Sequence, residues 1–560
     1  MSDKLAQAMA LYAAGNHEDA YSALKICLAA DLHPAPQALL AMAQCCVKLE
    51  YFQEAAAFYQ RAAKLLPAQS HVLLTIAEKV RRTGIENASR SDIEQLKTSR
   101  QSIRAGSFDN RVWQDYRATL RRSLNIDEMR MSDQAMRDRL VRRQDAYYAL
   151  DSQTTHLTWC DDEILNGLWA SILPAPNLER MAWTRPAGEK VRVAYLLPSN
   201  TSSPDIRQQV LSLAGAHDQD ALEVMLIGDH SPEQDDGLAS LRHISMAGLT
   251  EDEAVSALRE ADIDVLVDLL GHADGGHPAL LRHRIAPLHV ALAGHPGPRS
   301  GLVCDYYIAD DIVLPKRSRG LYAQAICRLP DAFTFIEPTD QPPTVSREQF
   351  GLPQGQVVFA AFHPSYLISP RTVDLWCAIL QGTPDSVLWL DCESDFAREN
   401  LRIWMKRQAV SEERLIFTQS AGPVGDSAKI QLADIGLDCT PFNSLSFTHA
   451  ALRSGLPVPA LMGQNFAGRM SASLLTCAGL TELIARNTED YVNLCVGLAR
   501  NDDARARLKR AILDKTISRS LLEKRRFVSH LENAWRQMAN RSAEGLDPED
   551  FDVSRLQKIG

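Results

Sequence analysis

Residues 435–476 read IGLDCTPFNSLSFTHAALRSGLPVPALMGQNFAGRMSASLLT, and this stretch decides the fold. A short apolar run ending in Leu437-Asp438 has the pattern of a buried parallel strand. A turn-rich segment, Cys439 to Ser446, follows, and then a helical pattern through Phe447, Ala450, Ala451 and Arg453. After Gly455 the sequence predicts a second short strand (Pro457 to Leu461), a loop (Met462 to Asn465) and another helix from about Phe466. Strand, loop and helix start, given twice, is how α/β domains make anion sites. Free backbone N–H groups and the positive end of the helix dipole both face the loop. A nucleotide diphosphate is expected there.

The chain of 560 residues is long enough for three or four domains, each with its own core. An apolar content of 45% and a charged content of 23% are those of an ordinary globular protein. A formal net charge of −10 and the lack of any long basic run disfavour nucleic acid as a partner. Eleven cysteines without a C-x-x-C pair predict reduced thiols and a cytoplasmic location. Neither a signal peptide nor a membrane span is expected, because no apolar window approaches about 20 residues.

Outward from the focal stretch, four further regions separate. Residues 1–85 are helical and repetitive: the segment around Gly15 superposes on that around Tyr51 at a spacing of about 35, with Ala20 on Ala55 and Leu24 on Tyr59. Small residues at helix crossings and a closing Pro67 suit tetratricopeptide-like helix pairs, with His71 to Arg82 opening a third unit. Such arrays bind proteins in a concave groove, so a protein acceptor or partner is expected at the repeats. Residues 86–188 read as a helical linker region with solvated Arg-rich faces (Arg117, Arg121, Arg122; Arg139, Arg142, Arg143). From residue 189 apolar runs at Val191 to Pro198, Val224 to Ile227 and Val265 to Leu269 alternate with helical patterns, which makes 189–345 a Rossmann-like lobe. A second begins near Val357 and gives 346–540, with 541–560 as a polar, frayed tail. The fold class is therefore α plus α/β: helical repeats, then two Rossmann-like lobes facing a cleft, an arrangement that the GT-B architecture shares with other two-domain α/β enzymes. His272, His277, His283, His289 and His295 follow no metal-ligand spacing, so local roles are expected for them.

Residues 262–315, with DLLGH at Asp268 to His272 and GHPG at Gly294 to Gly297, resemble the signature of the O-GlcNAc transferase and Spindly-type proteins, glycosyltransferase family 41. Residues 350–390 and the FAGRMSASLL segment at Phe466 are similar to that family's next two motifs, and the likeness spans roughly residues 190 to 535. The short tetratricopeptide array in front is also the family's arrangement. The resemblance implies a protein O-glycosyltransferase that moves a sugar, hexosyl or N-acetylglucosaminyl, from a nucleotide sugar to Ser or Thr of a protein. It implies no metal or other cofactor.

Carried over by motif, Asp268, His272 and His295 are the catalytic candidates. Tyr366, Asn443 and Arg469 are retained donor-site positions, and His363, Lys429 and Ser446 lie where they can add to them. Other positions depart. The family's reaction-centre His falls on Ser203, and its diphosphate-compensating Lys on Leu367. Its H-T-T and following Asp fall on Leu445, Ser446, Phe447 and Ala450, its uracil-packing His on Asp426, and the Thr of its H-P-G-T on Pro298. A diphosphate leaving group develops negative charge, and removing one donor to such charge costs on the order of 10²–10³ in rate. Two readings follow. One is an active transferase whose donor site is rebuilt around Arg469 and Lys429; the alternative is a catalytically inactive pseudo-glycosyltransferase serving as a tetratricopeptide scaffold for binding or chaperoning proteins.

Overall fold

The computed structural model describes residues 2–29, 34–186, 188–199, 204–229, 238, 241–292, 294–337, 345–392, 394–418, 426–514 and 519–554. Ser203 lies outside them, and so does the side chain of Asp426.

The first lobe holds strands β1 (Val191–Leu196), β2 (Leu222–Gly228), β3 (Arg242–Ser245), β4 (Val265–Asp268), β5 (Leu288–Ala291), β6 (Tyr306–Ala309) and β7 (Ala325–Arg328). The second holds β8 (Val357–Ala361), β9 (Ser386–Leu390), β10 (Leu415–Phe417) and β11 (Ile435–Gly436), in the order β10-β9-β8-β11. β12 (Ala460–Leu461) and β13 (Ile484–Ala485) pair beside it, and β14 (Phe551–Asp552) returns to the first lobe. The first sheet runs β14-β7-β6-β5-β4-β1-β2-β3, and every pairing in both lobes is parallel. Strands such as β4 and β9 are buried throughout, so their sequences run apolar without alternation. The helix Glu251–Glu260 starts with a capping box between Thr250 and Glu253 and stops two residues before Asp262, whose φ is positive.

Five expectations change. The stretch from His71 does not end as a repeat helix: Ser70–Arg104 is one helix of 35 residues that crosses the expected boundary at 85. Gly84 inside it does not break it, because a Cβ there would meet the Phe52 side chain at 2.7 Å, so the glycine admits the neighbouring helix Phe52–Leu65. Residues 86–188 are not a mere linker, and their arginines divide: Arg139, Arg142 and Arg143 are exposed as expected, while the first cluster departs. Leu96, Leu120, Leu124, Ile126 and Met129 join the core of the second lobe with Trp376, and Asn400 donates to the Ser123 carbonyl. Arg117 and Arg121 are buried on Asp133, with Arg117 also on Asp151, because acids distant in sequence neutralise them. Arg122 alone of the three stays half exposed, bound to Asp92.

The helix Lys524–Ala543, counted with the second lobe by sequence, packs on the first through Phe527, Leu531, Trp535 and Met538. The tail beyond 541 is not frayed as a whole. β14 pairs with β7, Asp550 accepts from the Ile326 N–H at 3.0 Å, and Val553 is buried. Finally, the expected strand Pro457 to Leu461 shortens to β12, with Pro457 lending only its carbonyl to the Gly436 N–H. No helix among the described residues is long and apolar enough to cross a membrane.

Candidate functional site

Parallel strands gather their carboxyl ends on one edge of each sheet, and the two edges meet in a cleft. From the first lobe come the loop after β4 (Asp268 to Gly276) and the loop after β5 (His295 to Pro298). From the second come the loops after β8 (His363 to Leu367) and β11 (Leu437 to Ser444). Tyr366, 44% exposed, stands close enough to Asp274 across the cleft for that carboxylate to add to the upward shift of its phenol, which burial begins.

The first-lobe candidates form one connected unit. Asp268 closes the end of β4 by accepting from the Leu270 and Gly271 N–H groups, and it faces Arg299 at 3.3 Å. Arg299 in turn donates to the Leu269 and His295 carbonyls. His272 places Nε2 2.7 Å from the Ser300 carbonyl, which makes that nitrogen the N–H and leaves Nδ1 as acceptor. Burial and then the neighbouring Arg299 hold its pKa down, the Ser300 bond opposing, so the imidazole is neutral. His295 is buried, with its pKa held well below the usual value by burial and by Arg299. Its Nε2 meets no partner among the described residues. Gly297 must be glycine here, since a Cβ would lie 2.4 Å from that nitrogen.

The other histidines of the run have local partners, as expected: His277 on the Leu197 carbonyl, His283 on Glu251, and His289 on the Ile285 and Ala286 N–H groups. No group of three or more His, Cys, Asp or Glu that could hold a metal occurs among the described residues.

The second-lobe candidates divide. Ser446 is exposed at the second position of the helix Leu445–Ser454. The N-cap Ser444 makes no side-chain cap, and its buried hydroxyl has no partner among the described residues. The N–H groups of Leu445, Ser446 and Phe447 likewise find no acceptor among them, so three donors stay open at the positive end of the helix. Asn443 is structural: it donates to the Cys439 carbonyl and accepts from the Ser471 N–H. His363 is buried against Trp376 and Phe447, with Nε2 on the Leu437 carbonyl. Burial pulls its pKa down to about 4.

The expected replacement cations are committed elsewhere. Lys429 is buried over the Phe362 ring and bound to Asp391 at 3.1 Å. Arg469 is 1% exposed and paired with Glu163 at 3.2 Å; it also donates to the Gly463, Gln464 and Val313 carbonyls. Desolvation makes such buried cations stay with their partners. Leu367 (5% exposed) and Phe447 (3%) point into the core, not the cleft.

Two carboxylates that sequence reading did not single out matter here. Asp438 accepts from the Cys439 and Ser444 N–H groups, and burial pushes its pKa up to about 6. Asp161, from the helical region, accepts from the Gln464 N–H at 2.7 Å and so occupies the second strand–loop–helix site. The position of Asp438 at a strand end was readable; the partnership of Asp161 with residue 464 left no signal in the sequence.

The family model for glycosyl transferase family 41 matches residues 337–531, which hold most of the second lobe. Among curated proteins, the probable UDP-N-acetylglucosamine–peptide N-acetylglucosaminyltransferase SEC of Arabidopsis thaliana is 24% identical over 66% of this chain and 40% of its own length. The probable transferase SPINDLY of the same plant is 28% identical over 56% of this chain and 34% of its own. The chain thus spans well under half the length of these relatives. A solved mutant of Thermobaculum terrenum O-GlcNAc transferase superposes with a TM-score of 0.64 at 22% identity, over 97% of this chain and 98% of that one. That agreement establishes the fold: a helical front followed by a two-lobed GT-B body.

Proposed function

We propose that this chain, whose residues 337–531 match the model of glycosyl transferase family 41, is a protein O-glycosyltransferase that moves a sugar of the N-acetylglucosaminyl type from a uridine diphosphate donor to a Ser or Thr hydroxyl. The observation that carries this reading is the uncapped start of the helix Leu445–Ser454, whose first three N–H groups find no acceptor among the described residues. In the reaction the acceptor oxygen forms a bond to the anomeric carbon, the bond from that carbon to the diphosphate oxygen breaks, and the hydroxyl proton leaves to a base. Charge grows on the diphosphate as its bond breaks. The amides of 445–447, with the exposed Ser446 hydroxyl, would meet it in the place where the family resemblance puts hydroxyl donors. Tyr366 offers an exposed ring on which a base or sugar can rest.

His272 is the proton acceptor in this reading. Its N–H is tied to the Ser300 carbonyl, so Nδ1 carries the lone pair, and a neutral imidazole can take a proton at pH 7. Asp268, Arg299 and His295 hold the loop that presents it. No step calls for a metal. The helical repeats would receive the protein acceptor: Tyr21 bonds Glu54 from the next repeat, which stiffens the array.

The test is turnover of UDP-N-acetylglucosamine with protein labelling read by intact mass. Wild type should release UDP and label protein, and His272→Ala should lose about 10²–10⁴ in kcat. The scaffold reading draws on one observation of its own, the burial of Leu367 and Phe447 where the resemblance expects donors. Failure of wild type to bind any nucleotide diphosphate would favour it.

A further inference from the structure

The segment Cys160 to Glu163 lies about 300 residues before the loop Met462–Arg469, yet it grips that loop at four points. The Cys160 carbonyl accepts from Asn465 Nδ2 at 2.9 Å. Asp161 Oδ1 accepts from the Gln464 N–H, and its other oxygen faces Arg371 at 3.6 Å. Gly463 has no room for a side chain, since a Cβ would lie 2.8 Å from Asp161 Oδ1 and 2.9 Å from the Gly468 backbone. Glu163 pairs with both terminal nitrogens of Arg469 at 3.2 and 3.3 Å.

The same residues reach the first lobe. Glu163 accepts from the Ser318 hydroxyl at 2.8 Å, and Arg469 donates to the Val313 carbonyl and to Ser318 at 3.3 and 3.4 Å. Beside them Phe466 is wedged between Tyr307 and Phe333, rings of the first lobe. The helical region, the first lobe and the second lobe therefore meet at one buried ion pair. His272 and the helix start at Leu445 belong to different lobes, so the distance between base and donor depends on the angle fixed here.

We infer that Asp161 and Glu163 are positioning residues for sugar transfer: from the helical region they set the loop Met462–Arg469 and, through Arg469, the seating of one lobe on the other. This inference rests on the transferase reading. Neither residue touches the reacting atoms. Glu163→Gln keeps the shape of the side chain but strands the Arg469 cation in a buried site, whereas Glu163→Asp keeps the charge, and Ser318→Ala removes one bond with no charge change.

The experiment combines hydrogen exchange of the amides at 463–470 with steady-state kinetics on UDP-N-acetylglucosamine, using the full chain. In Glu163→Gln the amides should exchange at least about tenfold faster and kcat should fall by about 10- to 100-fold, with the donor KM within about threefold, because misplacement by an ångström acts on the transition state more than on ground-state binding. Glu163→Asp should recover most of kcat, and Ser318→Ala, which leaves the charge pair whole and guards against a folding failure, should give a smaller change in the same direction. Unchanged exchange, or unchanged kcat despite faster exchange, in Glu163→Gln overturns the inference alone. A wild type that exchanges slowly at 463–470 but never turns over donor overturns the transferase reading, and the positioning role with it.

Discussion

Phe447→Thr returns the hydroxyl that the family resemblance expects at this position, and the structure argues that it will do harm. Phe447 is 3% exposed, edge-on to His363 with ring centroids 4.6 Å apart, and also packed at 6.1 Å from Phe362. Its ring lies against Gly436, where a Cβ would meet it at 3.1 Å, so it fills the space between β11 and its helix. Truncating a buried phenylalanine costs about 3–5 kcal/mol. The threonine hydroxyl can bond back to the carbonyl four residues earlier, so it adds little further cost. For a lobe of this size 1 kcal/mol moves the melting point by about 2–4 °C, which puts the fall at about 6–20 °C. Thermal unfolding followed by intrinsic fluorescence, with and without UDP, reads it. A variant that melts within about 2 °C of wild type, a change of no more than about 1 kcal/mol, and binds UDP more tightly would show Phe447 to be a lost donor and not a core residue.

Two further outcomes follow from the same geometry. Burial raises the Asp438 carboxyl to about 6, so its contribution to stability is fully present below the ordinary carboxylate range and is lost as pH rises through about 6. Asp438→Asn, which keeps an acceptor for the Cys439 and Ser444 N–H groups, should flatten the melting point against pH in that window; an unchanged profile would clear Asp438 of the effect. Truncation after Gly545 should destabilise the first lobe, because it bares β7, removes Asp550 and Asp552 from Arg328, and deletes buried Val553, worth about 1.5–3 kcal/mol by itself. A truncated chain with the melting point of the full one would mean that β14 adds nothing.

The two lobes were legible because buried parallel strands write themselves as unbroken apolar runs, as at Val265–Asp268 and Ser386–Leu390. What could not be read was pairing at a distance. Arg117 and Arg121 have the spacing of a polar helix face, and only Asp133 and Asp151 folding over them turns that face inward. Arg469 was visible as a retained motif residue, but its role is set by Glu163, 306 positions away. Gly84 looks like a helix break in one dimension and is a helix crossing in three. β14 is too short for any period to show. Within the site, the strand end and the helix after it came from the pattern, although the helix starts at Leu445, two residues before the pattern placed it, and the inward turn of Leu367 and Phe447 came from packing alone.

The proposed function stands or falls on whether the helix start at 445–447 holds a nucleotide diphosphate. Calorimetric titration of UDP against uridine, on wild-type protein at low salt, tests it most directly. The account predicts saturable UDP binding near about 1 mM or tighter, and at least about tenfold tighter than uridine, a difference of about 1.4 kcal/mol supplied by the two phosphates. Equal affinities for UDP and uridine, or no binding of either, would contradict it.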